Sequence, residues 1–110
     1  MSDTYKTIIQ PAEGYITEKK SKFISFVFPV KTAEEVKEIV DEYRRKYYDA
    51  RHVCWAYMLG SGREDYRTND DGEPSGTAGR PILGQINSFE LTNVLILVIR
   101  YFGGTLLGTS

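Results

Sequence analysis

Between Lys22 and Val30 the chain places Ile24, Phe26, Phe28 and Val30 on one side of an extended backbone and Phe23, Ser25 and Val27 on the other. A strand alternates its side chains between two faces, so a run that is apolar on both belongs in the interior of a sheet. His52 to Met58 (HVCWAYM) has the same two-faced character, and Val94 to Tyr101 (VLILVIRY) is a buried strand by composition. Between the first two lies a helix. Thr32 and Glu35 form a T-x-x-E capping box, Val36, Ile39, Val40, Tyr43 and Tyr47 recur at helical spacing, and Lys37, Glu38, Asp41, Glu42, Arg44 and Arg45 cover the opposite side. Strands and helices that share one core in a chain of 110 residues make a single α+β domain.

The remaining segments fit around that frame. Residues 1–14 read as a lead-in punctuated by Pro11 and Gly14, and residues 15–110 as the domain. Tyr15 to Thr17 forms a strand joined to the next at Glu18–Ser21. Asp65 to Asn69 pairs as an edge strand or loops, and Ala78 to Asn87 forms a short helix with Pro81 in its first turn, where a missing N–H costs little. Thr105 sits where a further helix would be capped, and the sequence reads as ending in mid-domain.

Composition excludes several classes. Fourteen basic against fifteen acidic side chains leave a net charge of −1, so nucleic-acid binding has to come from a local patch. One cysteine excludes an internal disulfide, and the polar beginning, MSDTYKTIIQ, is unlike a secretory signal. The apolar run Val94 to Ile99 is far short of the ~20 residues that cross a bilayer. The expected setting is the cytoplasm, with no membrane partner.

Three stretches carry the candidate chemistry. In Asp70-Asp71-Gly72-Glu73-Pro74-Ser75-Gly76-Thr77-Ala78-Gly79-Arg80-Pro81, small residues just before a helix let the amides of Gly76, Thr77, Ala78 and Gly79 converge on a phosphate, with the Thr77 hydroxyl and Arg80 beside it. Asp70, Asp71 and Glu73 are the candidate ligands for a divalent cation, or else an acidic turn before a capped helix; neither an EF-hand ladder nor a lysine-bearing phosphate loop is present. In Asp49-Ala50-Arg51-His52, His52 is either an anion-binding, titratable group beside Arg51 or a hydrogen-bonded structural histidine. Cys54 shares its strand face and reads as packing. In the third stretch Arg100 interrupts an apolar strand and must meet a partner or a ligand, while Gly103 and Gly104 permit close backbone approach. Tyr101 and Phe102 offer faces for base stacking or simply fill the core. Lys20 and Lys22, in a lysine-rich hairpin, could join Arg51, Arg80 and Arg100 in a positive strip, or protect a sheet edge.

Together Lys20-Ser21-Lys22-Phe23-Ile24, Asp49-Ala50-Arg51-His52 with Cys54 and Ala56, Asp70 to Pro74 with Gly76 to Gly79 and Pro81, and Arg100 to Gly104 with Leu107-Gly108 resemble the YigZ/IMPACT family over residues 15–110. The resemblance implies a two-layer β-α-β sandwich like the second domain of a ribosomal small-subunit protein, a late domain of elongation factor G and the GHMP kinases, with a left-handed crossover. It implies the bacterial branch of the family, continuing into a helix and a ferredoxin-like domain after this one; without them the open apolar surface favours a dimer. On function it implies regulation of translation in the eukaryotic relatives, through protein contacts upstream of an initiation-factor kinase, and RNA or ribosome contact in the bacterial ones.

The reading favours a non-enzymatic, translation-linked module without a cofactor. It contacts RNA or the ribosome through Lys20, Lys22, Arg51, His52, Arg100 and the Gly76–Gly79 amides, with a protein of the translation machinery as a further partner. The alternatives are a Mg²⁺-dependent enzyme acting on a nucleotide or phosphorylated small molecule at Asp70, Asp71 and Glu73, and a pure protein-interaction scaffold.

Overall fold

A computed structural model describes residues 10–18, 21–71 and 78–101. Five strands, β1 (Ala12–Glu18), β2 (Ser21–Pro29), β3 (His52–Leu59), β4 (Asp65–Asn69) and β5 (Val94–Tyr101), form one sheet in the order β1-β2-β5-β3-β4. Every neighbouring pair is antiparallel. Because β2 and β3 both run opposite to β5, they are parallel to each other, and α1 (Ala33–Lys46) carries the chain from one to the other across β5. The last strand in sequence is therefore the middle one in space, where its eight apolar-rich residues find partners on both sides.

Side-chain parity divides the sheet. Ile24, Phe26, Val53, Tyr57, Leu95, Leu97 and Ile99 pack with Val36 and Val40 of α1. Cys54, Ala56, Met58 and Val94 pack with Ile82 and Ile86 of α2 (Gly79–Ser88). The α+β class expected from the sequence holds, but the two expected layers gain a third. Strands apolar on both faces need cover on both, and α2 supplies it where α1 does not reach.

Local chemistry sets the helix ends. Thr32 Oγ1 accepts the Glu35 N–H at 3.1 Å, and the Glu35 carboxylate accepts the Lys31 N–H at 2.6 Å. Tyr43 then lies 4.9 Å from Phe26 and 5.3 Å from Phe28, ring centre to ring centre, which fixes α1 over β2. At the other end of the molecule, Arg63 adopts φ 56° in the β3–β4 turn. Its guanidinium donates to the Leu91 carbonyl at 3.0 Å and to Asn87 Oδ1 at 2.8 Å, holding the C-terminus of α2.

The lead-in is shorter than its sequence implies. Ala12, Glu13 and Gly14 already pair with Val27, Phe26 and Ser25, because a backbone ladder against the outer edge of β2 asks nothing of side-chain polarity. Asp65–Asn69 forms the edge strand, pairing Arg67 with Tyr57 and Asn69 with Trp55. No helix among the described residues is long and apolar enough to cross a membrane.

Candidate functional site

The candidate residues gather at one end of the sheet because three strands start or finish there. Arg100, near the end of β5, stands opposite His52 at the start of β3 and opposite Phe23 on β2. The three share the α2 face, and the Arg100 guanidinium carbon lies 5.6 Å from the centre of the Phe23 ring. Arg51 precedes β3 and donates its N–H to the Arg100 carbonyl at 2.8 Å, with its side chain exposed. Lys22, paired with Tyr101, is exposed at the same end but belongs to the opposite face by parity.

The turn after β4 locks this end together. Asn69 Oδ1 accepts the Asp71 N–H at 2.8 Å, an Asx turn that leaves Asp71 at φ 46°. Asp71 then makes three contacts to two elements, β3 and α1. Its carbonyl accepts from His52 Nδ1 at 2.6 Å, its Oδ2 accepts the Val53 N–H at 2.6 Å, and its Oδ1 lies 3.4 Å from the Arg44 guanidinium of α1. A carbonyl only accepts, so His52 carries a proton on Nδ1, and in the neutral ring the lone pair sits on Nε2. Cys54 is buried and donates its thiol to the Asp70 carbonyl at 3.2 Å.

Asp70 performs the task that the sequence reading gave to a phosphate. Its Oδ1 accepts the N–H of Ala78 at 3.1 Å and of Gly79 at 2.6 Å, putting a carboxylate at the positive end of α2. Ala78, at the cap position, has no side-chain acceptor of its own. The amides of Ala78 and Gly79 thus already hold an internal anion. Gly79 has a packing reason as well: a Cβ there would lie 2.8 Å from Thr68 Cβ and 2.9 Å from the Asn69 nitrogen, so only glycine lets the helix approach β4 this closely.

Arg80 is exposed in the first turn of α2, next to Gly79. Lys20, Glu73, Gly76, Thr77, Phe102, Gly103 and Gly104 lie outside the described residues. Among the described residues no three His, Cys, Asp or Glu side chains are grouped to hold a metal ion; Asp70 Oδ1 accepts from backbone amides, and the two Asp71 carboxylate oxygens meet the Val53 amide and Arg44.

Tyr101 belongs to the core rather than to a stacking surface. It is 9% exposed, and its hydroxyl donates to Asp49 Oδ1 at 2.9 Å. Burial, and then the hydrogen bond to the Asp49 carboxylate, push its pKa up to about 12. Sequence reasoning did not find this pair, nor the grip of Asp71 on His52 and Arg44. The Asx signature Asn69-Asp70-Asp71 was the one local signal of the turn; the longer contacts have no sequence spacing to reveal them.

Comparison with known proteins agrees with the arrangement. The model of the Impact N-terminal domain matches residues 19–110. The chain belongs to the IMPACT family. The IMPACT family member YvyE of Bacillus subtilis is 38% identical over 110 residues, covering 100% of this chain and 51% of that protein. YigZ of Escherichia coli is 40% identical over 94 residues, covering 84% and 46%. The chain thus spans about half the length of the curated relatives it matches. Among solved structures, the crystal structure of a hypothetical protein superposes with a TM-score of 0.83 at 37% identity, over 91% of this chain and 50% of that one. The two-domain translational regulator Yih1 superposes with a TM-score of 0.63 at 26% identity, over 94% and 42%.

Proposed function

We propose that this IMPACT-family chain is a binding module of a translational regulator, contacting ribosomal or other RNA through the end of the sheet that carries Lys22, Arg51, His52, Arg80 and Arg100. One observation carries the reading. Among the described side chains at that end, Asp49 is engaged with Tyr101, Asp70 with the α2 amides and Asp71 with Val53 and Arg44. The side chains of Lys22, Arg51 and Arg80 are exposed to solvent. In a chain of net charge −1, exposed cations at one end of the sheet are the local patch that contact with a polyanion needs. The likeness to Yih1, described as a translational regulator, supports the same direction.

The phosphate contacts in this reading come from side-chain cations, since the Ala78 and Gly79 amides serve Asp70. The test is fluorescence anisotropy of labelled single-stranded RNA and co-sedimentation with ribosomes, both over a salt series. With four cations engaged, the logarithm of affinity for single strands falls against the logarithm of salt with a slope of about −3. Arg51→Glu and Arg80→Glu weaken binding to all sequences alike. Salt-independent binding, or none to either target at low salt, overturns the reading.

A further inference from the structure

A separate groove opens on the other side of the sheet, between α1 and the β3–β4 pair, with a volume of about 650 Å³. Its floor is apolar: Val36 and Val40 of α1 and Tyr57 of β3 are at least nine-tenths buried, and the half-buried indole of Trp55 stacks on Tyr57 at 5.9 Å with the rings 8° from parallel. This volume is within the range of pockets that enclose ligands. Tyr43 anchors α1 against Phe26 and Phe28 of β2, and the groove lies where Val36, Val40 and Arg44 of α1 face Trp55 and Tyr57 of β3 and Arg67 of β4.

The polar groups around the floor specify what would fill it. Lys37 is paired with Asp41 at 3.0 Å, and Arg44 lies 3.4 Å from Asp71. Arg67, exposed on β4, makes no hydrogen bond or ion pair with any described residue. The Trp55 Nε1–H is buried without an acceptor among the described residues. A buried donor left unsatisfied is destabilising, so an occupant that brings an acceptor gains by it. The site therefore wants an apolar body, a carbonyl or carboxylate acceptor, and a negative charge toward Arg67. We propose that this groove docks an acidic–apolar peptide segment of a partner protein, with an apolar side chain on the Val36–Val40–Trp55 floor and a carboxylate on Arg67. Nucleic acid fits it poorly. Tyr57 is buried, so the aromatic pair offers no open stacking platform for bases. The proposal stands independently of RNA contact at the end of the sheet.

Trp55 is the one tryptophan of the chain, so its emission reports directly on the groove. Random peptides displayed on phage are selected on the chain, and the enriched ones are synthesised and titrated by Trp55 fluorescence. The expected peptides combine Leu, Ile or Phe with Asp or Glu and shift the emission. They lose at least about tenfold in affinity on Arg67→Glu, retain it within about threefold on Arg67→Lys, and are unaffected by Arg45→Glu, the same charge reversal on α1 outside the groove. Arg67 is exposed on an edge strand, so its replacement leaves the core intact. No enrichment, enriched peptides without acids, or affinity indifferent to Arg67→Glu overturns the proposal. So does an oligouridylate that moves the Trp55 emission where peptides do not, which would assign the groove to nucleic acid.

Discussion

Replacing Asp70 by alanine tests the central piece of the site. The substitution removes an ionised acceptor from two helix-start amides, Ala78 N–H at 3.1 Å and Gly79 N–H at 2.6 Å, at a terminus whose cap residue offers no side-chain oxygen. Hydrogen bonds to a charged group contribute about 1.5–3 kcal/mol, and a carboxylate at a helix N-terminus adds about 0.3–1 kcal/mol through the dipole. Asp70 is only partly buried, and water replaces some of what is lost, so the expected cost is about 2 kcal/mol. In a domain of this size that lowers the melting temperature by about 8–15 °C. Asp70→Asn keeps an oxygen and loses the charge, and costs about half as much. Urea unfolding followed by far-ultraviolet circular dichroism measures both. A loss below about 0.5 kcal/mol for Asp70→Ala, or equal losses for Ala and Asn, refutes the capping argument. Added Mg²⁺ should leave the melting temperature of the unsubstituted chain unchanged, since Asp70 Oδ1 already holds two amides and the described residues group no three metal-ligating side chains. A rise in melting temperature that Asp70→Ala abolishes would return Asp70 to the role of a metal ligand.

Two further substitutions probe the same end of the molecule. Gly79→Ala raises helix propensity by up to about 1 kcal/mol but drives a methyl into Thr68 and the Asn69 backbone, so a net loss of about 1–3 kcal/mol is expected in urea unfolding; net stabilisation would show that α2 does not sit so close to β4. Tyr101, with its pKa raised from 10.0 to about 12, is neutral in the folded chain where the unfolded chain has begun to ionise. Its contribution is complete below pH 10 and is lost as pH climbs toward 12, at up to about 1.4 kcal/mol per pH unit. Tyr101→Phe should remove that share of the alkaline decline. Identical slopes for the two chains between pH 10 and 12 would place the Tyr101 hydroxyl outside the core.

Much of the fold was legible because its signals are local. Thr32 and Glu35 announce α1 through their own spacing, and the two-faced apolar runs of β2, β3 and β5 announce interior strands. Asp65–Asn69 reads as either strand or loop because Asp-Tyr-Arg-Thr-Asn has no apolar alternation; what makes it a strand is the ladder that β3 offers. The order β1-β2-β5-β3-β4 was not legible from periodicity, since nothing in Val94–Tyr101 says which earlier strands it will separate. Nor was the third layer. The short α2 shows an apolar stripe, but the side of the sheet that receives it is decided by the parity of Cys54, Ala56 and Met58 together with Val94.

The candidate site was legible as a place, while the contacts its described residues make were not, and the reason is physical. A helix start presents unpaired amides and a positive dipole, so glycines and small residues before α2 signal that an anion belongs there. Sequence shows that demand without showing who meets it. A carboxylate in the usual capping position would have been recognised, but Asp70 reaches Ala78 and Gly79 from eight and nine residues away, by way of a turn that Asn69 closes. At that separation an internal carboxylate and an external phosphate leave the same signature. Once Asp70 has taken the amides, Asp71 is held against His52, Val53 and Arg44, and the acids that first resembled a metal site become the fastening between β3, α1 and α2. The side chains exposed at that end are Arg51, Arg80 and Lys22, which is why these, and not the Ala78 and Gly79 amides, are the residues on which RNA contact should depend.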